Sequence, residues 1–160
     1  MILAIDQSLA NTGMIWVTLH EDKSLTIDSK VTLKSKSLLS GNEASLSRAE
    51  ELFDNFCSLF TEDLTEVIYE VPPLGNLVQR PESSLLSALA LRLAARDKKV
   101  LCVGVNTNKA KKLLTGSAQA RKPKVREALL AKYPVFQGLN QHQVDAASLV
   151  VTYLTEKGAL

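Results

Sequence analysis

Three short apolar segments follow one another at the head of this chain, and behind them helical and strand periodicities alternate. Few folds accept that order. Ile2, Leu3, Ala4 and Ile5 form an apolar run that stops at Asp6, the pattern of a buried strand with a carboxylate at its end. Asn11-Thr12-Gly13 signals a turn, so the β-rich stretch Met14 to Leu19 is expected to return as a hairpin partner. Leu25, Ile27, Val31 and Leu33 sit at odd positions between polar neighbours, which predicts a third, half-exposed strand. Ser40 to Ser45 is polar and mobile in character. Apolar residues then recur at helical spacing, and a long amphipathic helix is expected from about Glu43 to Leu59. Thr65 to Val71 predicts a strand, stopped by Pro72-Pro73. A loop from Leu74 to Arg80 follows, then a helix opened by Pro81-Glu82-Ser83 with its body at Leu85 to Ala95. Val100 to Val105 predicts the fifth strand, and helices are expected over about Asn108 to Leu114, Lys122 to Lys132 and Gln141 to Thr155. Thr115 to Ala120 lies between the first two of these as a flexible connector.

Three antiparallel strands leading and alternation thereafter imply an α/β fold, a five-stranded mixed sheet with helices on both faces. With 160 residues the chain fits a single domain spanning 1–160. Nothing in it approaches the roughly 18 apolar residues of a membrane span. The opening lacks a basic n-region and is not read as a signal peptide. Cys57 and Cys102 lie in apolar surroundings with no CxxC, and are expected as buried thiols of a reducing, cytoplasmic compartment rather than zinc ligands.

Chemistry is sought where acids interrupt apolar runs, because a carboxylate there is costly unless paired or metal-bound. Asp6 ends the first strand, and Glu70 stands in Val67-Ile68-Tyr69-Glu70-Val71 on the same side as Ile68. Asp145 interrupts the last helix, with His142 three positions before it on one helical face. Each of these alone reads as a capping or salt-bridged residue; together they suggest a cation site. An oxygen-rich set of this kind suits Mg²⁺ or Mn²⁺. Two such ions can clamp a phosphodiester, so a metal-dependent nuclease is expected. The charge distribution agrees. Lys98 to Lys132 holds ten basic residues, among them Lys109, Lys111, Lys112, Arg121, Lys122 and Lys124, against the single acid Glu127; the remainder of the chain is net acidic. A surface aimed at a polyanion is one reading and a solvated helical face the other.

At these motifs the chain resembles the RuvC family of Holliday junction resolvases, which have an RNase H-like fold. Ile2 to Gly13 is similar to that family's first-strand motif, Val67-Ile68-Tyr69-Glu70 to its fourth-strand Glu motif, Gly116-Ser117-Ala118 with Lys122 and Val125 to its basic connector, and His142 to Ala147 to its closing metal-binding helix. The resemblance implies that Asp6 bridges two Mg²⁺ ions, with Mn²⁺ as substitute, and that Glu70, His142 and Asp145 complete the catalytic set. It implies that Lys122 contacts phosphate, and it matches Lys109, Lys111 and Lys112 more loosely. It further implies a homodimer that nicks opposed strands of a four-way junction. Independently, Leu85, Leu86, Leu89, Leu91 and Leu93 cannot all face one core, so either a partner chain or an all-round core covers them.

Three departures stand out. Many members carry Asp-Pro-Gly where this chain has Asp6-Gln7-Ser8, and many carry Asp at the position of His142. Members often place an aromatic after the fourth-strand Glu; Pro72 to Asn76 contains none, leaving Leu74 or Leu77 as the wedge residues. These divergent motifs would suit a phage-encoded member acting in a host cytoplasm. Other readings are an RNase H-like nuclease of forks, flaps or RNA, a non-catalytic branched-DNA binding module, and more distantly an actin-like nucleotide-binding fold.

Overall fold

The computed structural model describes residues 1–35, 40–72 and 82–160. Five strands, β1 (Ile2–Asp6), β2 (Asn11–Leu19), β3 (Leu25–Lys34), β4 (Glu66–Glu70) and β5 (Leu101–Val105), form one sheet in the order β3-β2-β1-β4-β5. β1 pairs antiparallel with β2 and β2 with β3, whereas β4 is parallel to both β1 and β5. The helices are α1 (Gly41–Leu59), α2 (Glu82–Asp97), α3 (Thr107–Thr115), α4 (Lys122–Lys132) and α5 (Gln141–Glu156). This is the mixed α/β sheet expected from the element order.

Alternation along the central strands divides the core into two layers. Leu3, Ile5, Val67 and Tyr69 pack with Leu52 and Phe56 of α1 and Leu91 and Ala94 of α2. Ile2, Ala4 and Ile68 face the other way, onto Val144, Ala147 and Val151 of α5. Side chains two apart share a face, so Asp6 follows Ala4, and Glu70 follows Ile68, onto the α5 side. Both acids stand at the carboxyl ends of neighbouring parallel strands, the end where open α/β sheets bind ligands.

Several local expectations differ from what forms. Asn11-Thr12-Gly13 lies within β2 rather than in a turn, with Gly13 opposite both Asp6 and Thr32. The reversal is made earlier, where the Thr12 hydroxyl donates to the Ser8 carbonyl at 2.7 Å and accepts from the Ser8 N–H at 3.3 Å. Residues 41–45 open α1 instead of a mobile segment, and Ala44 is buried there. The connector after α3 is a bonded turn: Gly116 adopts φ +77° as the left-handed cap, its N–H donating to the Lys112 carbonyl at 2.9 Å. Cys57 and Cys102 are free but only half-buried, because each sits at the margin of the α1–α2 layer. The expected loop Leu74 to Arg80, the helix-opening Pro81 and the wedge candidates Leu74 and Leu77 lie outside the described residues. No helix among the described residues is long and apolar enough to cross a membrane.

α5 is buried from Gln143 to Leu154 apart from Asp145, and its amino end is held in place from two directions. Asn140 and Gln143 form a reciprocal capping box, and the Asn140 side chain also donates to the Thr32 hydroxyl of β3 at 2.8 Å. Gly13 permits the contact from below. A Cβ on Gly13 would overlap the backbone carbonyl and Cβ of His142. Only a residue without a side chain lets α5 come this close to β2. Gly13→Ala is therefore expected to destabilise the chain by about 1–3 kcal/mol through overpacking, measured by urea denaturation.

Candidate active site

Each functional side chain reaches the site from a different element. Asp6 ends β1, Glu70 ends β4, and Asp145 stands one turn into α5, so three carboxylates converge on one cleft of about 320 Å³. Asn106, Thr107, Asn108 and Lys111 of the β5–α3 junction and Lys122 at the start of α4 complete its polar wall. His142 meets this group through Asp6, with its Nδ1 3.0 Å from Asp6 Oδ2. With Nδ1–H donating to the carboxylate, Nε2 is the nitrogen left with a lone pair.

Every acid of the cleft already has a protein partner. Glu70 Oε1 accepts from the Thr107 hydroxyl. Asp145 Oδ2 accepts from Lys122 Nζ at 2.5 Å, and its Oδ1 accepts from Gln141 Nε2 at 2.8 Å. Correspondingly, no three His, Cys, Asp or Glu side chains among the described residues are gathered tightly enough to form a ready metal cage. The donors nevertheless fit a hard divalent cation in chemistry: three carboxylates line one cleft, and the His142 imidazole stands behind it against Asp6.

Electrostatics supports the same fit. Burial pushes the Asp6 carboxyl up to about 6 from an ordinary 3.8, and the charges of Asp145 and Glu70 add to the rise; the hydrogen bond and charge of His142 oppose it without cancelling it. Lys122 responds in the complementary sense. Partial burial pulls its pKa down, but the hydrogen bond and charge of Asp145, with Asp6 and Glu70 behind, hold it above the usual lysine value. The cleft thus concentrates three carboxylates, of which Asp145 is paired directly with Lys122.

The basic residues separate into groups. Lys111 and Lys122 line the cleft, while Lys112, Arg121 and Lys124 are exposed on the same two helices or the turn entering α4. Lys109 is directed to the far end of α5, where it pairs with Glu156 at 3.1 Å. Lys98 and Lys99 precede β5 and so stand at the opposite end of the sheet from the cleft. Sequence reasoning passed over Thr107 and treated Gln7 only as an altered turn. The structure places Gln7 against the backbone of Glu70, its Oε1 accepting from the Glu70 N–H at 3.2 Å and its Nε2 donating to the Glu70 carbonyl.

No protein-family model matches the chain, and no curated protein matches it in sequence. Solved structures do. RuvC of Thermus thermophilus superposes with a TM-score of 0.76 at 15% identity, covering 99% of this chain and 96% of that one. The same protein in complex with a Holliday junction substrate gives 0.78 at 15% identity with the same coverage. The yeast mitochondrial Holliday junction resolvase gives 0.62 at 12% identity, over 99% of this chain and 80% of its own. The chain therefore has the RNase H-like fold of these resolvases.

The raised Asp6 pKa sets a stability profile. Between pH 4 and pH 6 the folded state holds the Asp6 proton more tightly than the unfolded state, so in chelator stability should fall as pH rises through that window. Above it the full cost, about 3 kcal/mol for a shift of this size, is present. Asp6→Asn removes that charge, and is expected to raise the unfolding free energy at pH 7 in EDTA by about 1–3 kcal/mol while flattening the profile. Thermal or urea unfolding across pH 4–7 measures both.

Proposed function

We propose that this chain is a divalent-metal-dependent endonuclease that resolves four-way DNA junctions by paired nicks. The observation that carries the reading is one cleft, at the carboxyl ends of β1 and β4, holding Asp6, Glu70 and Asp145 with Lys111 and Lys122 beside them. The fold is that of proteins that are Holliday junction resolvases, one of them solved on its substrate.

Asp6, Glu70 and Asp145, with Nε2 of His142, are the groups to hold two Mg²⁺ ions, or Mn²⁺ in their place. Such ions, when bound, activate water for in-line attack and stabilise the leaving oxygen of a phosphodiester. The chain's own residues supply the rest. His142 orients the Asp6 carboxylate through Nδ1. Lys122 and Lys111 stand where a phosphate enters the cleft, and Lys112, Arg121 and Lys124 extend the positive surface along α3 and α4 to the flanking backbone. Most of the affinity is then electrostatic and falls steeply with salt, and selectivity comes from the shape of the branched substrate.

A two-fold junction calls for two cleavage centres, and the opposite layer of the molecule offers a surface for pairing. Leu46 of α1 and Leu85 and Leu89 of α2 are 49%, 44% and 53% exposed. Leu46 and Leu89 line a mainly apolar groove of about 580 Å³ between the two helices, with Phe53, Leu86 and Leu93 on its walls and Glu50 and Asp54 at its side, and Leu85 lines the adjoining hollow. A second copy of this chain covering that groove gives a homodimer whose clefts stay open, because the groove and the cleft lie on opposite faces of the sheet.

Labelled four-way junction incubated with the wild-type chain and Mg²⁺ is expected to yield symmetric nicks with ligatable 5′-phosphates. Asp6→Asn should bind the junction but lower the nicking rate by at least about 10³-fold, in line with loss of a group acting on the transition state. Preferential cutting of a fork, a flap or RNA would replace the junction by that substrate, and binding without cleavage under any divalent ion would leave a binding module. Leu89→Asp should shift the dimer to monomer in analytical ultracentrifugation and uncouple the two nicks, since a charge at the centre of an apolar interface is strongly unfavourable.

A further inference from the structure

Glu70 is held twice, once by its backbone and once by its side chain, and neither grip involves a residue assigned so far to the reaction. The first comes from Gln7. Its carboxamide is buried and satisfies both the N–H and the carbonyl of Glu70. The β1–β4 ladder pairs strand residues as far as Ile5 with Tyr69. The Gln7 amide thus supplies one more rung from a side chain, just where the two strand ends could splay. On the other side Glu70 pairs with Val105 of β5, and the Val71 N–H donates to the Val105 carbonyl at 2.9 Å. The backbone that presents the Glu70 carboxylate is fixed from both sides.

The second grip is the hydroxyl of Thr107, which donates to Glu70 Oε1. Thr107 is the first residue of α3, a place where a hydroxyl near the helix start is often consumed in capping. Here Asn106 takes that task, its side chain accepting from the Asn108 N–H at 2.8 Å. The Thr107 side chain is thus not turned back to the helix end, and its hydroxyl points to Glu70 as a donor. The hydroxyl is carried on a rigid element, at the positive end of a helix dipole.

We propose that Gln7 and Thr107 are positioning residues for Glu70: together they fix its main chain and one carboxylate oxygen so that the group meets a divalent cation without first giving up rotamer freedom. A glutamate has three side-chain torsions to order, and outer hydrogen bonds that order a ligand in advance raise its affinity for the ion. Positioning Glu70 in this way rests on its being a metal ligand.

The test titrates Mn²⁺ into the full chain, following bound ion by electron paramagnetic resonance, and in parallel measures the Mn²⁺ needed for half-maximal nicking of a four-way junction. Thr107→Val keeps the shape and removes the hydroxyl, and is expected to weaken both readouts by about 10- to 100-fold. Thr107→Ser restores the hydroxyl and is expected to recover most of that loss. Gln7→Met, compared at a temperature where its circular dichroism matches the wild type, is expected to weaken Mn²⁺ binding in the same direction. Wild-type Mn²⁺ binding by Thr107→Val, or a Thr107→Ser variant as defective as Thr107→Val, would overturn the inference. Glu70→Gln indistinguishable from the wild type in both readouts would instead overturn the reading of Glu70 as a ligand.

Discussion

Crowding of like charge at the ends of two parallel strands governs this molecule. Asp6 is largely removed from water and has Glu70 and Asp145 for neighbours, so its ionised form is held against both desolvation and repulsion. Each surrounding feature answers that strain. His142 and Thr107 bring donors to the carboxylates, and Lys122 brings a charge to Asp145. Three carboxylates gathered at one cleft form an arrangement whose mutual repulsion a divalent cation would relieve.

The two layers of the sheet divide the work. On one side α5 brings His142 and Asp145 to the strand ends, and α3 and α4 add the lysines. On the other, α1 and α2 pack their small and bulky residues against β1 and β4 and leave Leu46, Leu85 and Leu89 to the exterior. β1 links the two, since its odd residues belong to one layer and its even residues to the other.

What could be read from the sequence was whatever looked costly there. Asp6, Glu70 and Asp145 interrupt apolar runs, and simple alternation put Glu70 on the same side as Ile68, which is the side α5 covers. The spacing of His142 and Asp145 showed that they share a helical face, but it could not show that His142 turns to Asp6 while Asp145 turns to Lys122. Gln7 and Thr107 carry no such mark. A glutamine after a strand and a threonine before a helix are ordinary, and their task follows from a parallel register the sequence does not contain. Charge was misread in another way: Lys98 and Lys99 belong to the basic stretch in sequence, yet they precede β5 and lie away from the cleft.

Gly13 was legible as a turn and turned out to be a clearance. The approach of α5 to β2 at that point is limited by atomic overlap. Hard contact of this kind has no dependence on ionic strength or proton concentration, whereas nearly every other relation in the cleft is an ion pair or a hydrogen bond to a charged group. Acid or concentrated salt therefore acts on the charged contacts of the cleft and leaves this steric limit on the helix unchanged.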